Sequence, residues 1–117
     1  MKIEGVEITR ALIIDEPWIG KILSGEKTWE MRSTKTKIRG SIALIKKGSG
    51  KIVGIAELYD CIACDHELLH LTNKHCIPRN MSRVFEKWNV AWKLRNAKKI
   101  NPIPYEHKQG AVIWVKI

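Results

Sequence analysis

The chain has 117 residues, 44% hydrophobic and 28% charged, a balance too apolar for intrinsic disorder and sufficient for one hydrophobic core without a second domain. Twenty-one Lys and Arg against twelve Asp and Glu leave a formal charge of +9, which suits phosphate-bearing partners and equally suits plain solubility. No run reaches the ~18 to 20 apolar residues of a membrane span, and MKIEGVEITR carries no apolar signal core, so no membrane partner and a cytoplasmic location are expected.

Residues 8–14 are short, β-favouring and mostly apolar, which predicts a buried strand ending at Asp15. Asp15 is placed to cap a helix whose first turn takes Pro17, with Trp18, Ile22 and Leu23 on one face and Gly25 at its end. Residues 27–32 alternate as a strand does, Trp29 and Met31 to one side, Thr28, Glu30 and Arg32 to the other. Residues 41–45 and 51–58 predict a hairpin across Lys47-Gly48-Ser49-Gly50, with Gly54 marking a bulge or a close backbone approach. Between Asp65 and Trp88 the apolar spacing is helical and divided near Pro78, which predicts two short helices. Residues 90–94 read as a strand, Pro102 and Pro104 as a loop, and residues 111–117 as the last strand. The expected architecture is α+β: a small, curled mixed sheet flanked by short helices.

Three cysteines, in a chain expected to stay reduced, argue against a disulfide framework. Cys61, Cys64, His66, His70, His75 and Cys76 concentrate soft ligands in one stretch, yet they lack the regular second pair of a structural zinc site. The expected metal and cofactor are therefore none. Trp29, Trp88 and Trp114 fall at positions expected to be core, while Trp18 and Trp92 are open between core and cleft.

The segment Gly25-Glu26-Lys27-Thr28-Trp29-Glu30-Met31-Arg32 resembles the G-x-K-x-x-E-x-R signature of the ASCH family, the domain related to activating signal cointegrator 1. The resemblance extends to Glu16-Pro17-Trp18, Arg39-Gly40, Ile52-Val53-Gly54, Ala91-Trp92-Lys93-Leu94 and the segment from Pro102 through Trp114, so it covers nearly the whole chain as one ASCH domain. It implies a PUA-like mixed β-barrel with a cleft, RNA binding as the usual role, and hydrolysis in some members.

Glu30 and Arg32 lie two apart on a strand and share a face, where a guanidinium fork and a carboxylate can cooperate on one group. Arg32 would take a phosphate or a base edge, and Glu30 would accept from an exocyclic amine. Lys27 would lie on the opposite face of an ideal strand and joins them only if the chain turns at Lys27 or Thr28, which Gly25 makes easier; the alternative is that all three are solvated charges on an exposed sheet face. Trp18 would form one wall of the cleft. Tyr105, stiffened by two prolines, would stack on a base; His107 would touch phosphate. The partner expected is RNA or a nucleotide.

The alternative is a small hydrolase, N4-acylcytidine amidohydrolase-like or a ribonuclease, with Lys27 and Glu30 catalytic. Deacylating relatives are similar in pairing the lysine with a threonine and a carboxylate, and this chain departs from both. Glu30 stands at the threonine position and Arg79 at that of the acid, where Arg79 becomes a further candidate contact. A protein-interaction adaptor in transcription or translation, as the family name suggests, is a third expectation.

Overall fold

The computed structural model describes residues 1–117. A two-strand ribbon, β1 (Lys2–Ile3) and β2 (Val6–Glu7), precedes β3 (Arg10–Ile14), helix α1 (Trp18–Leu23), β4 (Trp29–Arg32) and β5 (Gly40–Lys46). Then follow β6 (Lys51–Ala63), helices α2 (His66–Leu69) and α3 (Thr72–His75), a 3₁₀ helix (Arg79–Glu86), β7 (Val90–Pro104) and β8 (Trp114–Lys116). Mostly strands with a few short helices, the fold is α+β, and no helix is long and apolar enough to cross a membrane.

Six strands form one sheet in the order β4-β7-β6-β5-β3-β8. All its pairs are antiparallel except β3 with β5, so α1 and β4 lie on the crossover between two parallel strands. The barrel implied by the resemblance is not closed by backbone pairing, since β4 and β8 end the ladder unjoined. The sheet nevertheless curls: Trp92 on β7 and Trp114 on β8 stack with ring centroids 5.8 Å apart and planes 15° from parallel.

That curl divides the apolar residues by strand alternation. Leu12, Ile14, Ile42, Leu44, Ala56, Leu58, Val90, Trp92 and Leu94 enclose one core with Ile19 and Ile22 of α1. Ala11, Ile13, Ala43, Ile45 and Ile52 face the other way, onto the N-terminal ribbon and Ile100. A third cluster sets Trp29 and Met31 against Ile77, with Val84 and Phe85 packed on it.

Gly54 combines both predicted roles. Leu44 pairs with Gly54 and Ile45 with Ile52, leaving Val53 as the bulged residue. A Cβ on Gly54 would stand 2.3 Å from Leu23 Cδ2 and 2.9 Å from the backbone oxygen of Lys98. Leu23 can swing aside, but the strand oxygen cannot. Gly54→Ala is therefore expected to cost about 1–3 kcal/mol through overpacking, read as a fall in the urea midpoint at unchanged slope.

Several local expectations need correction. Asp15 does not cap α1: its carboxylate accepts from the Glu16 N–H, and the Glu16 carboxylate reaches the Gly20 N–H at 2.9 Å instead. Residues 65–88 form three helical pieces rather than two: the division near Pro78 stands, with Cys76 in a left-handed turn (φ 60°) before it, and a further break falls at Leu71, whose ψ of 68° leaves the helical range between α2 and α3. The residues around Pro102 and Pro104 are strand, not loop. β4 pairs with β7 only as far as Lys93, so beyond it β7 is an edge that tolerates a missing N–H. The first and last strands of the sheet are shorter than predicted, at Arg10–Ile14 and Trp114–Lys116. Trp88 is 42% exposed rather than core, because the 3₁₀ helix that packs Val84 and Phe85 inward ends at Glu86, before it.

Candidate functional site

Gly25, with φ +84°, ends α1 and turns the chain back on itself. Three backbone bonds then fix the segment before β4. Lys27 N–H donates to Lys21 O (2.9 Å), Thr28 N–H to Lys74 O (3.0 Å), and Leu94 N–H to Thr28 O (2.8 Å). Held between α1, α3 and β7, Lys27 turns inward, and only 1% of its side chain is exposed.

Glu30 stands opposite Trp92 and Arg32 opposite Val90 in the β4–β7 register, so the polar face of β4 points to the inside of the curled sheet. Charges placed there must be paired. Lys27 Nζ lies 3.8 Å from Glu30 Oε1, while Arg32 Nε and Nη2 donate to Glu30 Oε2 at 3.1 and 2.9 Å. Arg32 Nη2 also donates to Ile13 O at 2.8 Å, and Lys27 Nζ to His75 O at 2.6 Å. No fully buried side-chain nitrogen or oxygen lacks a hydrogen-bond partner. Arg32's fork is thus largely committed to Glu30 and the backbone, and Nη1 alone has no protein acceptor.

These groups form the deep end of a cavity of about 300 Å³, at the lower end of the ~300–1,000 Å³ usual for small-ligand pockets. Trp18 walls it, with Lys27 Nζ 5.2 Å from its ring centroid, a cation–π spacing. Met81, Trp88, Val112, Asp15 and Lys47 surround the open side. Burial pulls the Lys27 ammonium below the usual lysine range; Glu30 and Cys76 oppose that pull, and Arg32 adds to it.

His75 supports this arrangement from outside the cavity. Its Nδ1 accepts from the Ile77 N–H at 2.9 Å, which leaves Nε2 to donate to Leu69 O at 2.8 Å. The ring is thereby fixed neutral, and burial, joined by the nearby Lys27 charge, lowers its pKa. Protonation would set two donors face to face at Nδ1. The stability this ring lends is present above the ordinary histidine value and is lost as pH falls through it toward the lowered folded value. In an NMR titration the His75 imidazole is expected to have its midpoint below 6.5; a midpoint at or above that value would refute the assignment.

Of the residues expected to act together, Trp18, Lys27, Glu30 and Arg32 gather round one cavity. Tyr105 and His107 line a neighbouring one that shares Ile13, Lys47 and Val112 with the first. Arg79, exposed on the 3₁₀ helix, lines neither. The soft-ligand stretch does not assemble: His66 and His70 face each other at 3.1 Å, His75 is engaged at both nitrogens, and no group of three or more His, Cys, Asp or Glu has a metal-holding arrangement. Sequence reasoning missed Lys47, Trp88 and Val112 as cavity residues and His75 as a support. Lys47 alone carried a usable signal, as a cation beside the glycine turn of the hairpin.

Comparison with known proteins agrees with this fold. No curated protein matches the chain in sequence. Among solved structures, the ASCH protein of Zymomonas mobilis superposes with a TM-score of 0.71 at 18% identity, over 92% of this chain and 86% of that one. Two single-substitution mutants of the Zymomonas mobilis protein give 0.73 and 0.71 at 19% and 18% identity, over 92% of this chain and 87% and 88% of theirs. At such identity the likeness speaks for the fold alone. The family model for the ASCH domain matches residues 12–104, which include the glycine turn, the inward lysine and the whole of β4, and the chain belongs to that family.

Proposed function

We propose that the cavity receives a base of an RNA strand or nucleotide, and that this is an RNA- or nucleotide-binding ASCH protein. The observation that carries the reading is the meeting of Lys27, Glu30 and Arg32 at the deep end of one hollow walled by Trp18. Lys27 offers a donor beside the Glu30 acceptor, a pair complementary to a base edge with an amine next to an acceptor, as in cytosine and adenine. The indoles of Trp18 and Trp88 offer stacking surfaces, each such contact worth about 1–3 kcal/mol. Lys27 is too buried to meet a phosphate, so phosphate contacts fall to Lys47 and Arg32 Nη1. The reading takes the curled sheet as an opened PUA-like barrel, in one cytoplasmic domain acting in RNA metabolism.

Titration with the four ribonucleoside monophosphates and short single-stranded RNAs, followed through tryptophan fluorescence, tests it. Saturable binding that weakens with salt and drops at least fivefold in Trp88→Ala is expected. No binding by any of them, or equal binding by Trp88→Ala, would dismiss it.

The hydrolase reading is favoured by one observation, the desolvated Lys27. A lysine with a lowered pKa can serve as base or nucleophile near neutrality. No serine, threonine or tyrosine hydroxyl lines the cavity with it, which leaves Glu30 and Asp15 as the available bases. Incubation with acylated cytidines and mixed RNA separates the readings: product formed by the wild type and not by Lys27→Met would establish the enzyme.

A further inference from the structure

Beside the first cavity lies a second, of about 460 Å³, and the two share Ile13, Lys47 and Val112. Their contents differ in kind. The first ends in the buried Lys27–Glu30–Arg32 cluster; the second has the Tyr105 and His107 rings and the Gly48 and Gly50 turn. Tyr105 Oη stands 3.0 Å from His107 Nδ1, and the two rings meet edge-on at 5.9 Å, so the phenol is held in place. Tyr105 is further tied down by its N–H, which donates to Gly50 O at 3.3 Å.

The partition between the cavities suits an anion. Lys47 belongs to both walls, and Gly48 and Gly50 adopt φ of +79° and +68°, bare backbone that a phosphate can approach closely. Neither glycine N–H donates to a protein acceptor, whereas Lys47 N–H is used on Ile14 O and Ser49 N–H on Lys46 O. A lysine, two unengaged amides and an adjoining aromatic ring are what the phosphate and next base of a strand require.

We infer that the two cavities form one site for two linked nucleotides: a base in the first, its bridging phosphate over Lys47 and the glycine turn, and the neighbouring base against Tyr105. This deepens the base-binding reading and rests on it. The preferred ligand is then an RNA strand, and an isolated nucleoside or nucleotide fills only half of the site.

Affinities for a ribonucleoside, which carries no phosphate, and for the dinucleoside monophosphate containing the same base test it, measured by calorimetry on the wild type, Tyr105→Ala and Lys47→Gln. Lys47 is exposed, so its variant folds whatever becomes of Tyr105→Ala. The dinucleoside monophosphate is expected to bind at least tenfold tighter than the nucleoside in the wild type, with that ratio falling toward one in each variant. Glu30→Gln should weaken both ligands together and keep the ratio. Nucleoside binding with no gain from the linked second nucleotide, or a ratio unchanged in Lys47→Gln, would overturn the two-cavity site while sparing the base pocket. No binding of either ligand would remove both.

Discussion

Glu30→Gln is expected to destabilise the protein by about 3 kcal/mol near neutral pH, the lower end of what breaking a buried ion pair costs. Glu30 is the one anion against which two cations are held, Lys27 at 3.8 Å and Arg32 at 2.9 Å. Removing its charge leaves the Lys27 ammonium, 1% exposed, facing only a carbonyl and a second cation. The effect should depend on pH in a definite sense. Because burial lowers the folded-state pKa of Lys27, the folded protein binds fewer protons than the unfolded chain between that value and the ordinary 10.5. Stability therefore rises with pH across that window. Without Glu30 the folded pKa falls further, so the variant begins to recover at lower pH and its deficit is smaller at pH 9 than at pH 6. Urea unfolding at the two pH values measures this; a deficit that grows with pH would contradict the pairing.

Lys27→Met should show the opposite division between stability and function. Methionine nearly matches the lysine stem in length, and Glu30 keeps both hydrogen bonds from Arg32. The main loss is a donor for His75 O, a cost of about 1–3 kcal/mol partly offset by the removed burial of an ammonium. The variant should stay folded, within about 2 kcal/mol of the wild type. Its affinity for a nucleotide should fall tenfold or more, about 1.4 kcal/mol, and any turnover should disappear. Thermal unfolding and ligand titration on one preparation give both numbers. Undiminished binding in a folded Lys27→Met protein would detach the buried cluster from function altogether.

How far the sequence foretold the site can be judged residue by residue. Gly25 announced a helix end, and the alternation through Arg32 announced a strand with Glu30 and Arg32 on one face; both stand in the structure. Local pattern could not say that this polar face points inward, because alternation distinguishes two faces without naming the one the curl encloses. The inward turn of Lys27 was conditional for a related reason, since it depends on bonds to Lys74 and Leu94, far off in the chain. Trp88 was misjudged because the 3₁₀ helix ends at Glu86, so the spacing that carries Val84 and Phe85 onto the apolar cluster does not extend to it. His75 was noted only as a metal-ligand type, whereas its part is played by a ring wedged between Leu69 and Ile77, with a backbone oxygen turned to Lys27. Tyr105 and His107 were expected at the same cleft as Lys27, whereas they line a neighbouring hollow that shares Lys47 with the first.

The bond from Arg32 Nη2 to Ile13 O joins β4 to β3, strands that no backbone ladder connects directly. Along that seam the molecule is fastened by side chains, this clasp and the stacked indoles of Trp92 and Trp114. A ligand that competed for Nη2 would loosen the fastening without breaking a single rung of the sheet, whereas one that took only the free Nη1 would leave the seam closed.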